Sequence, residues 1–305
     1  MRRILALAAA LLVATAPAYL SSYYVGLLTK SLILGLFAMS LNVLLGYTGL
    51  GSFGHALYFG VGAYAAALLS LKVIGNFWID AAAALAAAAL VALVFGPLSL
   101  RARGSYFAMI TLALAQVMWG VAFGWRSLTG GDDGLPGIAR PVLAGSVALT
   151  GETSFFYFVA AVFTVSALAL AVIVDSPFGK TLSGIKESEL RMEVLGYHVW
   201  AYQYAASVLA GVLAGLAGVL FVYYNGYVSP VYLSVVFSAQ ALLMVIMGGA
   251  GTLLGPALGA AIIVLLENLI SVFTERWLLV LGAIYVIVTL FAPQGVQGLL
   301  RRRRP

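Results

Sequence analysis

No cysteine occurs among the 305 residues, and His55 and His198 are the two histidines. Disulfides and thiolate metal sites are excluded, and two imidazoles are a poor start for a metal centre. Charge is scarce as well, at 9% of residues, against 63% that are hydrophobic. Such a chain lacks the polar surface of a soluble domain. The short alternation of a membrane β-barrel is absent too, so helices are left as the way to satisfy backbone groups in lipid. Gly179-Lys180-Thr181 imitates the end of a phosphate-binding loop, but Val174 stands where that pattern needs glycine, so any ATP belongs to another protein. Nothing in the spacing of serine, histidine and acidic residues supports a catalytic triad, and neither enzyme activity nor a cofactor is expected.

What is present is a series of apolar runs of about 20 residues, each long enough to cross a hydrocarbon core of about 30 Å. Mean hydropathy is +1.08. The fold class read from this is all-α, a polytopic membrane protein forming a single domain over residues 1–305. Met1 to Leu20 is basic and then apolar, like a signal peptide with Ala14-Thr15-Ala16 before the cut. Pro17 would follow that cut and impede it, so a retained first helix is expected. Further spans are expected at Gly26 to Leu45, Ser52 to Leu71, Trp78 to Leu100, Ser105 to Trp125, Ser154 to Val174, Trp200 to Val222, Leu233 to Gly248, Thr252 to Ser271 and Trp277 to Ala292. With the first helix the count is about ten.

The cations orient the bundle. Arg2, Arg3, Arg101, Arg103, Lys180, Lys186, Arg191 and Arg301 to Arg304 fall at the termini and the even-numbered connections, while Lys30, Lys72, Arg126, Arg140 and Arg276 fall on the others. The positive-inside rule then places both termini in the cytoplasm. Four terminal arginines without interleaved aromatics do not make a nucleic-acid surface.

One stretch concentrates the charge: residues 176–198, which hold Lys180, Lys186, Glu187, Glu189, Arg191 and Glu193 between two apolar runs. Charges this dense stay in water, because each would cost several kcal/mol at mid-bilayer. Ser183 can cap a helix from about Gly184 to Leu195, which Gly196 can close in the left-handed conformation. Glu187 precedes Arg191 by four, in ion-pair order, and Ile185, Met192 and Leu195 fall on one stripe. The reading is a short amphipathic helix on the membrane face awaiting a soluble partner; the plain alternative is a solvated charged loop.

Small residues (Gly211, Ala214, Gly215 and Gly218; Gly255 and Gly259) permit close helix packing. Gly49-Leu50-Gly51-Ser52-Phe53-Gly54 and Gly249-Ala250-Gly251-Thr252-Leu253-Leu254-Gly255 echo each other, each following an inward-running helix. Paired glycine-interrupted segments point to a transport site between repeats.

These motifs carry a resemblance. Residues 49–64 (Gly-Leu-Gly-Ser-Phe-Gly-His-Ala-Leu-Tyr-Phe-Gly-Val-Gly-Ala-Tyr), 106–116, Leu128-Thr129-Gly130-Gly131-Asp132-Asp133-Gly134-Leu135, and 247–260 are similar, in order and over nearly the whole chain, to the LivM-type permease subunits of branched-chain amino acid ABC importers. The resemblance implies a permease of the inner membrane for branched-chain or related amino acids. It also implies four further partners: a second, LivH-like permease, two cytoplasmic ATPase subunits and a substrate-binding protein. Under it, residues 176–198 become the ATPase-coupling loop, with Ile185, Lys186, Glu187, Glu189, Arg191, Met192, Glu193, Leu195 and Gly196 as contact candidates. Gly196 follows Glu193-Val194-Leu195 at once, unlike the longer EAA-then-Gly signature of many importers. Urea or other small amides are an alternative substrate class, and a self-sufficient ion-coupled transporter or channel is an alternative function.

Asn42, Ser52, His55 and Gln116 are the polar residues expected on a translocation pathway, against the alternative of interhelical hydrogen bonds that only hold the bundle. Glu267, beside Asn268, is expected near the outer end of its span.

Overall fold

The computed structural model describes residues 19–72, 76–143 and 147–273, with Pro17 and isolated positions from 276 to 295. It is a helical bundle. Helix α1 (Ser22–Asn42) passes into a π-helical turn, Val43–Thr48; α2 (Ala56–Lys72), α3 (Phe77–Ser99) and α4 (Ser105–Gly124) follow. A polar excursion holds the one-turn α5 (Arg126–Thr129) and strands β1 (Leu135–Pro136), β2 (Val142–Leu143) and β3 (Val147–Ala148). Then come α6 (Glu152–Asp175), α7 (Pro177–Glu187), α8 (Glu189–Val194), α9 (Val199–Asn225), β4 (Tyr227–Val228), α10 (Val235–Gly248) and α11 (Gly255–Phe273).

Among the described residues, six segments are long and apolar enough to cross a membrane: Ser22–Thr48, Phe77–Ser99, Ser105–Gly124, Glu152–Asp175, Val199–Asn225 and Gly255–Phe273. The apolar helices Ala56–Lys72 and Val235–Gly248 are shorter, at 17 and 14 residues. Each is preceded by a stretch outside the α-helices, residues 49–55 and 227–234. Eight of the expected spans thus correspond to helices. Those at Met1 to Leu20 and Trp277 to Ala292 fall on stretches largely outside the described residues.

α1 and α9 form the centre, with 78% and 67% of their apolar windows buried. The expected close packing is within the chain: Cβ atoms at Gly211 and Gly215 would lie 2.7 and 2.4 Å from those of Ala92 and Ala88 on α3, and one at Gly218 would strike the Phe59 carbonyl of α2. Gly259 packs as tightly on the backbone of α10. At one end of the bundle lie residues 49–55, 100–104, 176–198 and 249–254. At the other, β1 pairs antiparallel with β4 and β2 with β3.

Candidate functional site

The site begins where α1 stops being α-helical. The π-turn ends at Gly49, whose φ of +78° an L-residue would adopt only under strain, and Leu50 N donates to Leu44 O. Asn42, at the start of this turn, is 2% exposed. Its Nδ2 donates to Thr252 O at 2.8 Å and its Oδ1 accepts from Gly251 N at 2.9 Å. One amide therefore bonds both faces of the second glycine turn and ties it to the end of α1, just ahead of the first glycine motif. Gly46 sits in the gap, where a Cβ would lie 2.5 Å from Gly251 N.

Onto this junction docks the charged stretch, in a form that corrects the single helix expected from Gly184 to Leu195. Ser176, not Ser183, caps the first helix: its Oγ accepts from Gly179 N at 3.5 Å and Pro177 takes the first helical position, where its missing N–H costs nothing. Ser183 lies inside that helix and donates to Gly179 O. The chain breaks at Ser188, at φ −164°, and Ser188 Oγ caps α8 by accepting from Arg191 N at 3.3 Å. Glu187 and Arg191 thus belong to different helices, and the acidic side chains of α8 pair elsewhere. Arg103, between α3 and α4, lies 3.6 Å from Glu189 and 2.9 Å from Glu193. Gln203 Nε2 also donates to Glu189 at 2.8 Å. The expected stripe dissolves as well: Ile185 is buried in α7, Met192 packs its sulfur over Gly184, and Leu195 is 64% exposed. Gly196 does close the helix, at φ +88°.

Lys186 joins the two parts. Its Nζ donates to Gly46 O at 2.7 Å, a charge-assisted bond to a carbonyl at the end of α1. α8 buries none of its residues and presents Leu190, Arg191 and Val194 outward, with the exposed Leu195 just past its end. Between the first glycine turn, residues 104–108 and the α7–α8 corner lies a cleft of about 560 Å³.

Of the residues expected on a pathway, Asn42, Ser52 and His55 are buried in this same region. Ser52 Oγ accepts from Gly54 N. His55 Nε2 lies 2.8 Å from Ser40 Oγ, and the ring stacks on Phe37. Because the one hydroxyl hydrogen of Ser40 goes to Phe37 O, the imidazole hydrogen sits on Nε2. Gln116 is not brought to them; it lies exposed on α4. Sequence reasoning missed Thr111 and Ser238, which accept from Phe53 N and Ala56 N and satisfy the first glycine turn from α4 and α10. It also placed Lys30 on a connection, whereas Lys30 lies inside α1 with its Nζ 3.4 Å from Glu267 Oε2 of α11. Among the described residues no three His, Cys, Asp or Glu side chains gather to hold a metal.

The chain is 28% identical to the high-affinity branched-chain amino acid transport system permease protein LivM of Salmonella typhimurium, over 97% of this chain and 75% of that protein. It is 28% identical to LivM of Escherichia coli K12, over 93% and 72%. It is 25% identical to LivH of Salmonella typhimurium, a permease protein of the same kind of system, over 86% and 90%. No solved structure matches the chain. The model of the branched-chain amino acid transport system / permease component family matches residues 23–289, and the chain belongs to that family.

Proposed function

We propose that this chain is the membrane-embedded permease subunit of an ABC importer for branched-chain or related amino acids, working in the inner membrane beside a second, LivH-like permease. Two cytoplasmic ATPase subunits dock on the 176–198 end, and a substrate-binding protein delivers cargo at the opposite end. On this reading residues 1–305 form one domain with ten spans and both termini in the cytoplasm.

The observation that carries the proposal is the Lys186–Gly46 bond. α8 lies outermost with an apolar and cationic face uncovered, and α7 behind it meets the π-turn through the Lys186–Gly46 bond and through Leu182 and Ile185, which share a buried apolar cluster with Leu44, Tyr47 and Leu50. An energy-coupling element needs contacts that differ between two states, and a single charge-assisted bond at a helix break can be made or lost without unfolding either part. Glu189, Arg191, Glu193 and the exposed Leu195 form the docking surface, while Ile185 and Met192 anchor it.

The test is the reconstituted complex. Glu193→Lys should reduce co-purification of the ATPases, whereas Lys186→Met should leave co-purification intact and lower substrate-stimulated ATP hydrolysis. Full assembly and full stimulation in both variants would remove the coupling role. The Lys30–Glu267 pair gives the ion-coupled alternative a charged pair inside the helices, so a second arm is needed. The purified chain alone, in vesicles under an ion gradient, should accumulate no leucine; accumulation would replace the ABC reading with that alternative.

A further inference from the structure

Lys30 and Glu267 face each other from two apolar helices, roughly 12 Å along the axis from Ser22 and roughly 9 Å from Phe273 at about 1.5 Å per residue. Each charge costs about 2.5–3.5 kcal/mol when placed deep in a membrane helix, and a pair of apolar side chains would hold α1 against α11 at least as well. The pair is loose at 3.4 Å, and its side chains keep 30% and 21% of their accessibility. It does not close on itself. Beside it opens a cleft of about 260 Å³ lined by Leu27, Lys30, Val264, Glu267, Asn268 and Ser271. Tyr23 donates to Asn268 Oδ1 at 2.7 Å, which pins that amide by its oxygen and leaves its N–H groups as donors.

The cleft therefore offers one cation, one anion, an amide donor and an apolar wall. A simple cation meets Lys30 and a simple anion meets Glu267, so each is repelled by one member. A molecule carrying both charges is repelled by neither. We propose that this cleft, at the end of the bundle opposite the charged stretch, is a binding subsite for the zwitterion of an amino acid with an apolar side chain. The carboxylate lies on Lys30 Nζ and the Asn268 amide, the ammonium on the Glu267 carboxylate, and the side chain on Leu27 and Val264. The ligand takes over both halves of an ion pair that is already long and partly wet, so little is given up on binding. This inference rests on the importer reading for the arrival of such a solute.

The absence of cysteine from the chain permits a single reporter, Ser271→Cys, in the complete transporter in nanodiscs, alkylated by a small neutral maleimide and counted by mass shift. Leucine should slow alkylation about tenfold at roughly ten times its dissociation constant. Leucinamide, which lacks the carboxylate, and 4-methylpentanoate, which lacks the ammonium, should protect far less. Glu267→Gln should remove protection by leucine and bring in protection by 4-methylpentanoate; Lys30→Gln should do the reverse with leucinamide. Such an exchange of preference does not follow from a merely structural pair. Equal protection by all three compounds in the parent, or protection by none, would overturn the proposal without recourse to either charge variant. Protection seen with no amino acid when phosphatidylethanolamine replaces phosphatidylglycerol in the disc would assign the cleft to a lipid head and also overturn it. ATP-driven leucine uptake by the same transporter reconstituted into sealed vesicles separates the two claims: uptake without protection defeats this inference alone, and absence of uptake defeats the importer reading.

Discussion

At the end that carries residues 176–198, helices are joined by side chains that reach into backbone; at the opposite end, the polar loops are held largely by backbone joined to backbone. In the first region Asn42 bonds Gly251 and Thr252, Lys186 bonds Gly46, Thr111 bonds Phe53 and Ser238 bonds Ala56. In the second, β1 pairs with β4, Ile138 N donates to Gly226 O, and β2 pairs with β3. The difference follows from what each region must satisfy. Broken helices leave donors and acceptors pointing in directions no ladder can meet, so side chains serve them one at a time. A ladder gives way as a unit, whereas separate side-chain bonds can be exchanged singly. The end that we assign to coupling is built in the second way.

The contrast breaks most visibly at glycine. Gly46→Val puts a Cβ 2.5 Å from Gly251 N and closer still to the Asn42 amide, so the two turns must part. The expected loss is about 3 kcal/mol or more, at the upper end for overpacking because backbone cannot step aside. Gly137→Val, at the other end, carries only the strain of φ +85°, since a Cβ there meets nothing within 4 Å, and should cost about 1–2 kcal/mol. Thermal unfolding midpoints of the purified chain rank the two. Equal losses would mean that the first end is no more tightly interlocked than the second.

A smaller separation is expected between Asn42→Leu and Arg140→Gln. The first leaves Gly251 N–H and Thr252 C=O without their partner in a half-buried place, at about 1 kcal/mol for each group, the lower end for an unsatisfied polar atom. The second removes a bond from Arg140 to Thr150 O and a cation held 5.6 Å over the Phe155 ring, together worth about 0.5–1 kcal/mol at an exposed site. If Asn42→Leu were as mild as Arg140→Gln in the same unfolding assay, Asn42 would not be the clamp between the two turns.

Much of this architecture was legible in the sequence because apolar run length is dictated by membrane thickness, and eight runs came out as helices between Ser22 and Phe273. The echo of the two glycine motifs was legible as pattern, but not that Asn42 and Gly46, just ahead of the first motif, pack on the second, since no local rule couples residues so far apart in sequence. Within residues 176–198 a local signal was present and passed over: Ser176-Pro177 is an N-cap followed by a first-turn proline, a stronger start than Ser183. The break at Ser188 has a serine cap but no acidic residue three positions on, so the capping-box pattern does not reveal it. Lys30 was misplaced because a lone lysine near the start of a span reads as belonging to the interface. Its partner Glu267 lies on a helix more than two hundred residues away, and only the fold brings them together.

The smallest effect offers the finest test, because it compares one ion pair from each end. Arg103 keeps 72% of its side-chain accessibility where it meets Glu193 at 2.9 Å, so most of the attraction is spent against water. A double-mutant cycle with Arg103→Gln and Glu193→Gln should return a coupling of about 0.2–1 kcal/mol. That coupling should shrink as salt shortens the screening length from about 10 Å at 0.1 M to about 3 Å at 1 M. The same cycle with Lys30→Gln and Glu267→Gln starts from a longer pair, at 3.4 Å, but from side chains only 30% and 21% exposed. Distance argues for the weaker coupling and burial for the more durable one, and burial decides the salt response because ions screen only where they can approach. The Arg103 pair should therefore lose most of its coupling across the salt series, while the Lys30 pair loses little. Parallel decline of both would show that simple ions reach the Lys30–Glu267 pair as freely as they reach the open surface, and the two ends would then differ in how their backbone is joined but not in how their charges are held.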